Sequence, residues 1–166
     1  AAAASLTGTP ALAERYDYHN QYAGHEELYL LLQQIGIGVY VNSKKCAIEP
    51  GVMGWYISAL NEFVVCQENG MPGGPQVQWT AEDLDTLRHE AHHVVQDCMD
   101  NHQNGQLHPV YQDPVALARN NLDRDTIAWI LQAYGDQSES AQVLELEAFA
   151  VASGLNDATE QIRDIR

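Results

Sequence analysis

The chain has 166 residues, 45% of them apolar, which is enough to bury the core of one domain. Eight Lys and Arg residues stand against 23 Asp and Glu, and the resulting net charge of −15 repels phosphate backbones and anionic lipids. No interior stretch approaches the roughly 20 apolar residues of a transmembrane helix. The composition therefore predicts a globular protein and argues against nucleic acid as a partner and against a membrane span.

The N-terminal segment differs in composition from the rest of the chain. It is rich in Ala, Thr and Gly and then in Tyr, without a clear period, so we expect residues 1–15 to form a flexible arm and residues 16–166 a single domain. The chain begins with four alanines, which fits a product from which an export signal was cut after a small residue. A start introduced for recombinant expression would look the same, so the four alanines alone do not decide the expected secreted or periplasmic location.

The first half of the chain predicts one helix and three strands. Leucines at helical spacing predict a helix over residues 26–35 that ends at Gly36. Runs of β-branched residues then predict strands over 37–41, 52–58 and 62–67. The short connection between the last two strands predicts a hairpin.

The second half of the chain predicts helices alone. After a cluster of Pro and Gly, Thr80 and Asp83 have the pattern of a helix N-terminus, so we expect a helix from Thr80 to about Met99. A helical region is predicted over 113–134, with a break expected near 121–123, and another helix over 138–153. A short charged helix is expected to close the chain.

Residues 89–93 read HEAHH and contain the pattern H-E-x-x-H inside the helix that begins at Thr80. A chain of this composition is expected to contain about 0.02 such matches by chance. At 100° per residue, the apolar residues of this helix cluster on one side, and His89 and His93 project from nearly the opposite side. Two imidazoles at this spacing can bind one zinc ion (Zn²⁺), with Glu90 as a general base toward a carbonyl.

His92 offers a second pairing, because His89 and His92 also share a face of the helix. We prefer His93 as the ligand, since the pair His89 and His93 frames Glu90 in the motif. A catalytic zinc ion takes a third protein ligand and leaves its fourth position to water. We expect the C-terminal helices to supply that ligand.

Glu145 and Glu147, in the segment LELEAFA, are the candidates for the third ligand. Their side chains point about 200° apart on a helix, so only one of them can bind the metal. Glu147 has apolar neighbours at i±3 and i±4, and a carboxylate embedded there needs compensation, which a metal would supply. We therefore predict Glu147 as the third ligand, with Glu145 as the alternative.

On the segments LRHEAHHVVQ and LELEAFA, the chain resembles a zincin metallopeptidase of the gluzincin kind, in which a glutamate on a later helix completes H-E-x-x-H. Cys46 and Cys66, with the strand segments between them, resemble small metallopeptidases of exported bacterial proteins. The resemblance covers residues 37–153 and implies an α+β fold. That fold is a minimal zincin-like domain, with a small twisted sheet packed on the H-E-x-x-H helix and C-terminal helices that complete the zinc site.

The resemblance also implies a Cys46–Cys66 disulfide and a location outside the cytoplasm. The number of cysteines does not by itself decide between oxidised and reduced thiols, since Cys98 leaves an odd count. Reduced, half-buried strand residues are the alternative for Cys46 and Cys66.

The predicted function is zinc-dependent hydrolysis of peptide or protein substrates, with Glu90 as the catalytic residue and His89, His93 and Glu147 as zinc ligands. A metallopeptidase-like binding or structural module without catalysis is the alternative. The presence of Glu90 favours catalysis, because a structural zinc site does not need a general base. Candidates for stabilising the oxyanion are Tyr134, His108, His102, Tyr111 and Arg124.

Overall fold

A computed structural model describes residues 25–100 and 103–155 of the chain. The predicted N-terminal arm and the predicted closing helix lie outside these residues. The chain divides into two compact units, with the boundary between Leu87 and Arg88. Within the described residues, no helix is both long and apolar enough to cross a membrane. The single domain expected over 16–166 stays a prediction.

The first unit contains a helix and a three-stranded mixed sheet. Helix α1 spans His25–Gln34, and the strands are β1 (Gly38–Val41), β2 (Gly54–Ile57) and β3 (Glu62–Val65). The strand order is β1-β3-β2, with β1 parallel and β2 antiparallel to β3, so the predicted hairpin is confirmed. Strand β3 is central and is the most buried of the three. The buried apolar side chains of this unit include Leu28, Leu31, Leu32, Ile37, Phe63, Val64, Val65 and Trp79.

A buried pair of amide side chains holds the segment that follows the sheet. Asn42, in a left-handed backbone conformation with φ 57°, donates from Nδ2 to Gln67 Oε1 and to the carbonyl of Pro75. Gln67 in turn donates from Nε2 to the carbonyl of Val77 and accepts from the Val77 N–H. Because these amides satisfy one another and the backbone, a Pro- and Gly-rich segment is fixed without regular structure.

A disulfide joins Cys46 to Cys66, 20 residues apart in sequence, as the resemblance implied. Closing a loop of this length restricts the unfolded chain and stabilises the folded state by about 3 kcal/mol. Replacing both cysteines by alanine is therefore expected to lower the free energy of unfolding by about 3 kcal/mol, measured by urea denaturation in the presence of EDTA. Cys98→Ala, which leaves the disulfide intact, is the control. Equal stabilities for the double variant and the wild type would contradict this role of the disulfide.

The helix that carries the H-E-x-x-H pattern, α2, spans Ala81–Asp97, close to the predicted bounds. Its N-terminus is closed by reciprocal hydrogen bonds, as the sequence predicts: the Asp83 N–H donates to Thr80 Oγ1, and the Thr80 N–H donates to Asp83 Oδ2. The other oxygen of the buried Asp83 carboxylate accepts from the Glu68 N–H at 2.8 Å. This cap fixes where the helix starts.

The second unit begins within α2 and contains three further helices: α3 (Pro114–Asn121), α4 (Arg124–Ala133) and α5 (Glu139–Ala150). The expected break near 121–123 is confirmed, because Asp123 accepts from the Thr126 N–H and starts a new helix. Helix α5 begins in the same way at Ser138 and continues as a π-helical turn over Val151–Leu155. With five α-helices and one small sheet in its described residues, the chain has an α+β fold, as expected.

Candidate metal centre

The second unit contains a cluster of polar side chains from α2 that is almost completely buried. His89, Glu90 and His93 are 7–8% exposed, and His92 and Gln96 are fully buried. The sequence places apolar residues on one side of α2 and imidazoles on the other, but in the structure both sides of this stretch are covered. Buried polar groups of this number require partners, and α5 supplies most of them.

Two histidine nitrogens and one carboxylate converge at the centre of the cluster. His89 Nε2 lies 3.1 Å from His93 Nε2 and 3.0 Å from Glu145 Oε2. His93 Nε2 lies 3.4 Å from Glu145 Oε1. The side chains of these three residues keep 9–16% exposure, so one side of the cluster reaches the surface.

These distances can be compared with the dimensions of a zinc site. Ligand atoms at tetrahedral corners about 2.0–2.1 Å from zinc lie about 3.3–3.4 Å from one another. The three separations of 3.0, 3.1 and 3.4 Å are close to this spacing. Two imidazole nitrogens 3.1 Å apart also repel unless a proton or a cation lies between their lone pairs. Both the chemistry and the spacing of His89, His93 and Glu145 therefore fit a zinc ion.

Glu90 lies beside this group. An oxygen of its carboxylate and one nitrogen each of His89 and His93 all lie within 4.8 Å of one another. The three motif residues are thus brought together, as the sequence predicts. At this range, a carboxylate can hydrogen-bond a water molecule held next to the two histidines.

Glu147, the third ligand preferred from the sequence, does not lie with the pair; the structure places Glu145 there instead. The Glu147 carboxylate is fully buried and accepts from His92 Nε2 at 2.7 Å. It also accepts from Gln96 Nε2 and from the N–H groups of Val110 and Tyr111. Four donors thus compensate the charge of the Glu147 carboxylate, which the sequence analysis expected a metal to compensate.

His92 lies with Glu147, away from the His89 and His93 pair, and its ring stacks on Tyr111 with centroids 6.3 Å apart. Burial raises the pKa of Glu147, but the hydrogen bonds from His92, Val110, Gln96 and Tyr111 outweigh burial and lower it below its usual value. Glu147 therefore stays ionised and ties α2, α5 and the segment at 110–111 together.

The electrostatics of the pair itself are strongly coupled. Burial lowers the pKa of His93, but the hydrogen bond to Glu145 and the charges of Glu90 and Glu145 outweigh it and raise the pKa to about 9. Burial raises the pKa of Glu145, whereas its hydrogen bonds to His89 and His93 lower it to about 2. In the metal-free protein, a proton on His93 thus supplies the positive charge that a metal ion would bring.

These shifts predict how the stability of the metal-free protein depends on pH. The His93 contribution is complete below pH 6.5 and is lost as the pH rises through 9, whereas the Glu145 contribution is complete above pH 4.5 and is lost toward pH 2. In the presence of EDTA, we expect the stabilisation by His93 and Glu145, measured through the melting temperature, to be highest between pH 4.5 and 6.5. In Glu145→Gln, the loss between pH 6.5 and 9 should be smaller than in the wild type. If the melting temperatures of the wild type and Glu145→Gln changed in the same way with pH across this range, the coupling between His93 and Glu145 would be contradicted.

A group of aromatic side chains packs on one side of the centre, against His89. The ring of Phe149 packs edge-on against that of His89, with centroids 4.4 Å apart, and against Trp129 and Tyr134 on its other sides. Below them lies an apolar cluster formed by Ala118, Ile130 and Leu146. Phe149 of α5 thus packs directly on the His89 ring, and Trp129 and Tyr134 pack on Phe149.

Tyr134 is the oxyanion candidate that the structure places near the centre, because its ring lies 6.3 Å from that of Phe149, which packs against His89. Burial and the charges of Glu145 and Glu90 raise the pKa of Tyr134, so its hydroxyl keeps its proton. The other candidates lie elsewhere: Tyr111 beside His92, His108 half exposed and 3.8 Å from Asp100, Arg124 at the start of α4, and His102 outside the described residues.

The fold and this cluster together define a small α+β protein with a candidate metal centre in its second unit. The chain belongs to the family of a domain of unknown function, DUF8637, whose family model matches residues 19–156. No curated protein and no solved structure matches the chain.

Proposed function

We propose that the chain is a zinc-dependent metallopeptidase of the gluzincin kind, with His89, His93 and Glu145 as the zinc ligands. The observation that carries the proposal is the convergence of these three side chains at separations of 3.0–3.4 Å, with Glu90 next to them. The assignment of Glu145 replaces that of Glu147, whose carboxylate is already engaged by four donors. Partial exposure of the cluster supports access for water and a substrate.

His89, His93 and Glu145 would hold the zinc ion, which would supply a Lewis acid for polarising the carbonyl of a peptide bond. Glu90 removes a proton from the attacking water as the new C–O bond forms, and then delivers that proton to the nitrogen of the leaving amine as the C–N bond breaks. Tyr134, which keeps its hydroxyl proton, donates a hydrogen bond to the carbonyl oxygen as negative charge develops there. Peptides or proteins are the proposed substrates.

The proposed location is outside the cytoplasm. The Cys46–Cys66 disulfide supports it, because disulfides form and persist in oxidising compartments such as the periplasm and the extracellular space. The chain has 23 acidic and 8 basic residues, and this negative charge is compatible with cationic substrates or with a role of the charge in keeping the protein in solution.

The experiment that tests the proposal measures zinc content by mass spectrometry and hydrolysis of a mixed peptide library by the same purified protein. We expect one zinc per chain, peptide cleavage that EDTA abolishes, and recovery of cleavage when zinc is added back. His93→Ala should lose both the metal and the activity. Zinc binding without cleavage of any peptide would favour the non-catalytic module, and a wild type that binds no zinc would refute the proposed site.

A further inference from the structure

The side chain of Gln96 connects the candidate centre to the buried Glu147. Gln96 lies one helical turn after His93 on α2 and is fully buried. Its Oε1 lies 2.8 Å from His93 Nδ1. Its Nε2 lies 3.0 Å from the carbonyl oxygen of Leu144 and 3.0 Å from Glu147 Oε1.

These contacts allow only one orientation of the amide. The two protons of the amide nitrogen meet two acceptors, the Leu144 carbonyl and the Glu147 carboxylate, which also accepts from the Val110 and Tyr111 N–H groups. Turning the amide over would place its oxygen against the oxygens of Leu144 and Glu147. Buried oxygens would then face one another with no proton between them, which is unfavourable. The oxygen of Gln96 therefore points at His93, and a carbonyl oxygen can only accept a hydrogen bond.

It follows that His93 carries a proton on Nδ1, the nitrogen that faces Gln96. In the neutral ring, the lone pair then lies on Nε2, which is the atom that points at His89 and Glu145. A ring nitrogen with this lone pair is what a metal requires, and the partner on the other nitrogen also fixes the rotation of the ring. Within the described residues, the corresponding Nδ1 of His89 has no hydrogen-bond partner.

We propose that Gln96 is a positioning residue of the zinc site: Glu147 orients the Gln96 amide so that Nε2 of His93 faces the metal. This proposal rests on the proposed function. The carboxylate of Glu147 is itself held by His92 and by the Val110 and Tyr111 N–H groups. The line from Glu147 through Gln96 to His93 thus links the fold of the 110–111 segment to the geometry of one ligand.

The test replaces Gln96 by Met, which has a similar length and cannot accept the Nδ1 proton. Gln132→Met, at an exposed position near the end of α4, is the matched control. Two quantities are measured: the protected Nδ1–H resonance of His93 in the zinc-free protein by NMR, and the zinc dissociation constant by competition with a chelator. We expect Gln96→Met to lose the resonance and to bind zinc about 10–100-fold more weakly, while the control behaves as the wild type.

Gln96→Glu separates the hydrogen bond from packing, because a side chain of the same length keeps a carboxyl oxygen that can accept from His93 Nδ1. We expect it to retain the His93 resonance. Retention of the resonance in Gln96→Met, its loss in both variants, or equal zinc affinities for Gln96→Met and the wild type would overturn the proposal. Zinc bound by neither protein would instead refute the metallopeptidase site, and with it the role of Gln96.

Discussion

Replacing Glu90 by glutamine is expected to reduce peptide hydrolysis by about 10²–10⁴-fold, the usual contribution of a positioned general base. The amide has nearly the same shape as the carboxylate but cannot take a proton from water. Since Glu90 is not one of the proposed ligands, the variant should still hold one zinc per chain. Turnover of a cleaved library peptide and metal content, measured on the same sample, test both parts of this prediction.

The control for this variant is Glu82→Gln, the same substitution at an exposed position in the first turn of α2. It should leave both zinc content and turnover unchanged. If Glu90→Gln kept wild-type turnover, a different group would have to act as the base. If the Glu90→Gln variant lost zinc, Glu90 would have to be a zinc ligand and not the general base.

Replacing Glu145 by glutamine is expected to weaken zinc binding by more than about 100-fold, because changes behind a ligand already cost about 10–100-fold. The reason is that the variant removes a carboxylate that lies within 3.4 Å of both histidine nitrogens. Chelator competition measures the dissociation constant. Glu139→Gln, exposed in the first turn of the same helix, is the control and should bind zinc normally.

Glu147→Gln should behave differently from Glu145→Gln, although the two positions are only two residues apart. Its new amide NH₂ group would face the Val110 and Tyr111 N–H donors, and unsatisfied buried groups of this kind cost about 1–3 kcal/mol of stability. Zinc should still bind when supplied in excess. Loss of zinc in Glu147→Gln with retention in Glu145→Gln would reverse the assignment of the third ligand.

Much of the local structure was predictable from the sequence because it depends on neighbouring residues. The Thr80 and Asp83 cap, the interruption before Asp123 and the hairpin of β2 and β3 follow from short-range hydrogen bonding and periodicity. The convergence of His89 and His93 with Glu90 also follows, since helical spacing alone brings them together.

The choice between Glu145 and Glu147 was not predictable, because it depends on contacts made far away in sequence. The buried carboxylate of Glu147 does need compensation, but His92 and two backbone N–H groups at 110–111 provide it. His92, which the sequence offers as an alternative ligand, is thus the partner of the glutamate that the sequence favoured. Sequence neighbours within four positions on the helix cannot reveal hydrogen bonds from Val110 and Tyr111, which lie 36–37 residues away.

Two further features were missed for the same reason. The parallel pairing of β1 with β3 joins strands that are separated by β2 in sequence, and no local pattern encodes it. Gln96 gave a weak signal, its spacing of one helical turn from His93, but its role depends on Leu144 and Glu147 from α5.

The most direct test of the central claim is zinc K-edge X-ray absorption on the zinc-loaded protein. We expect one zinc per chain with nitrogen and oxygen ligands at about 2.0–2.1 Å and the outer-shell scattering of two imidazoles. In Glu145→Gln, the same sample preparation should leave the zinc largely unbound. A sulfur ligand at about 2.3 Å, which the free thiol of Cys98 could provide, would contradict the proposed ligand set, and so would a zinc ion without two imidazoles.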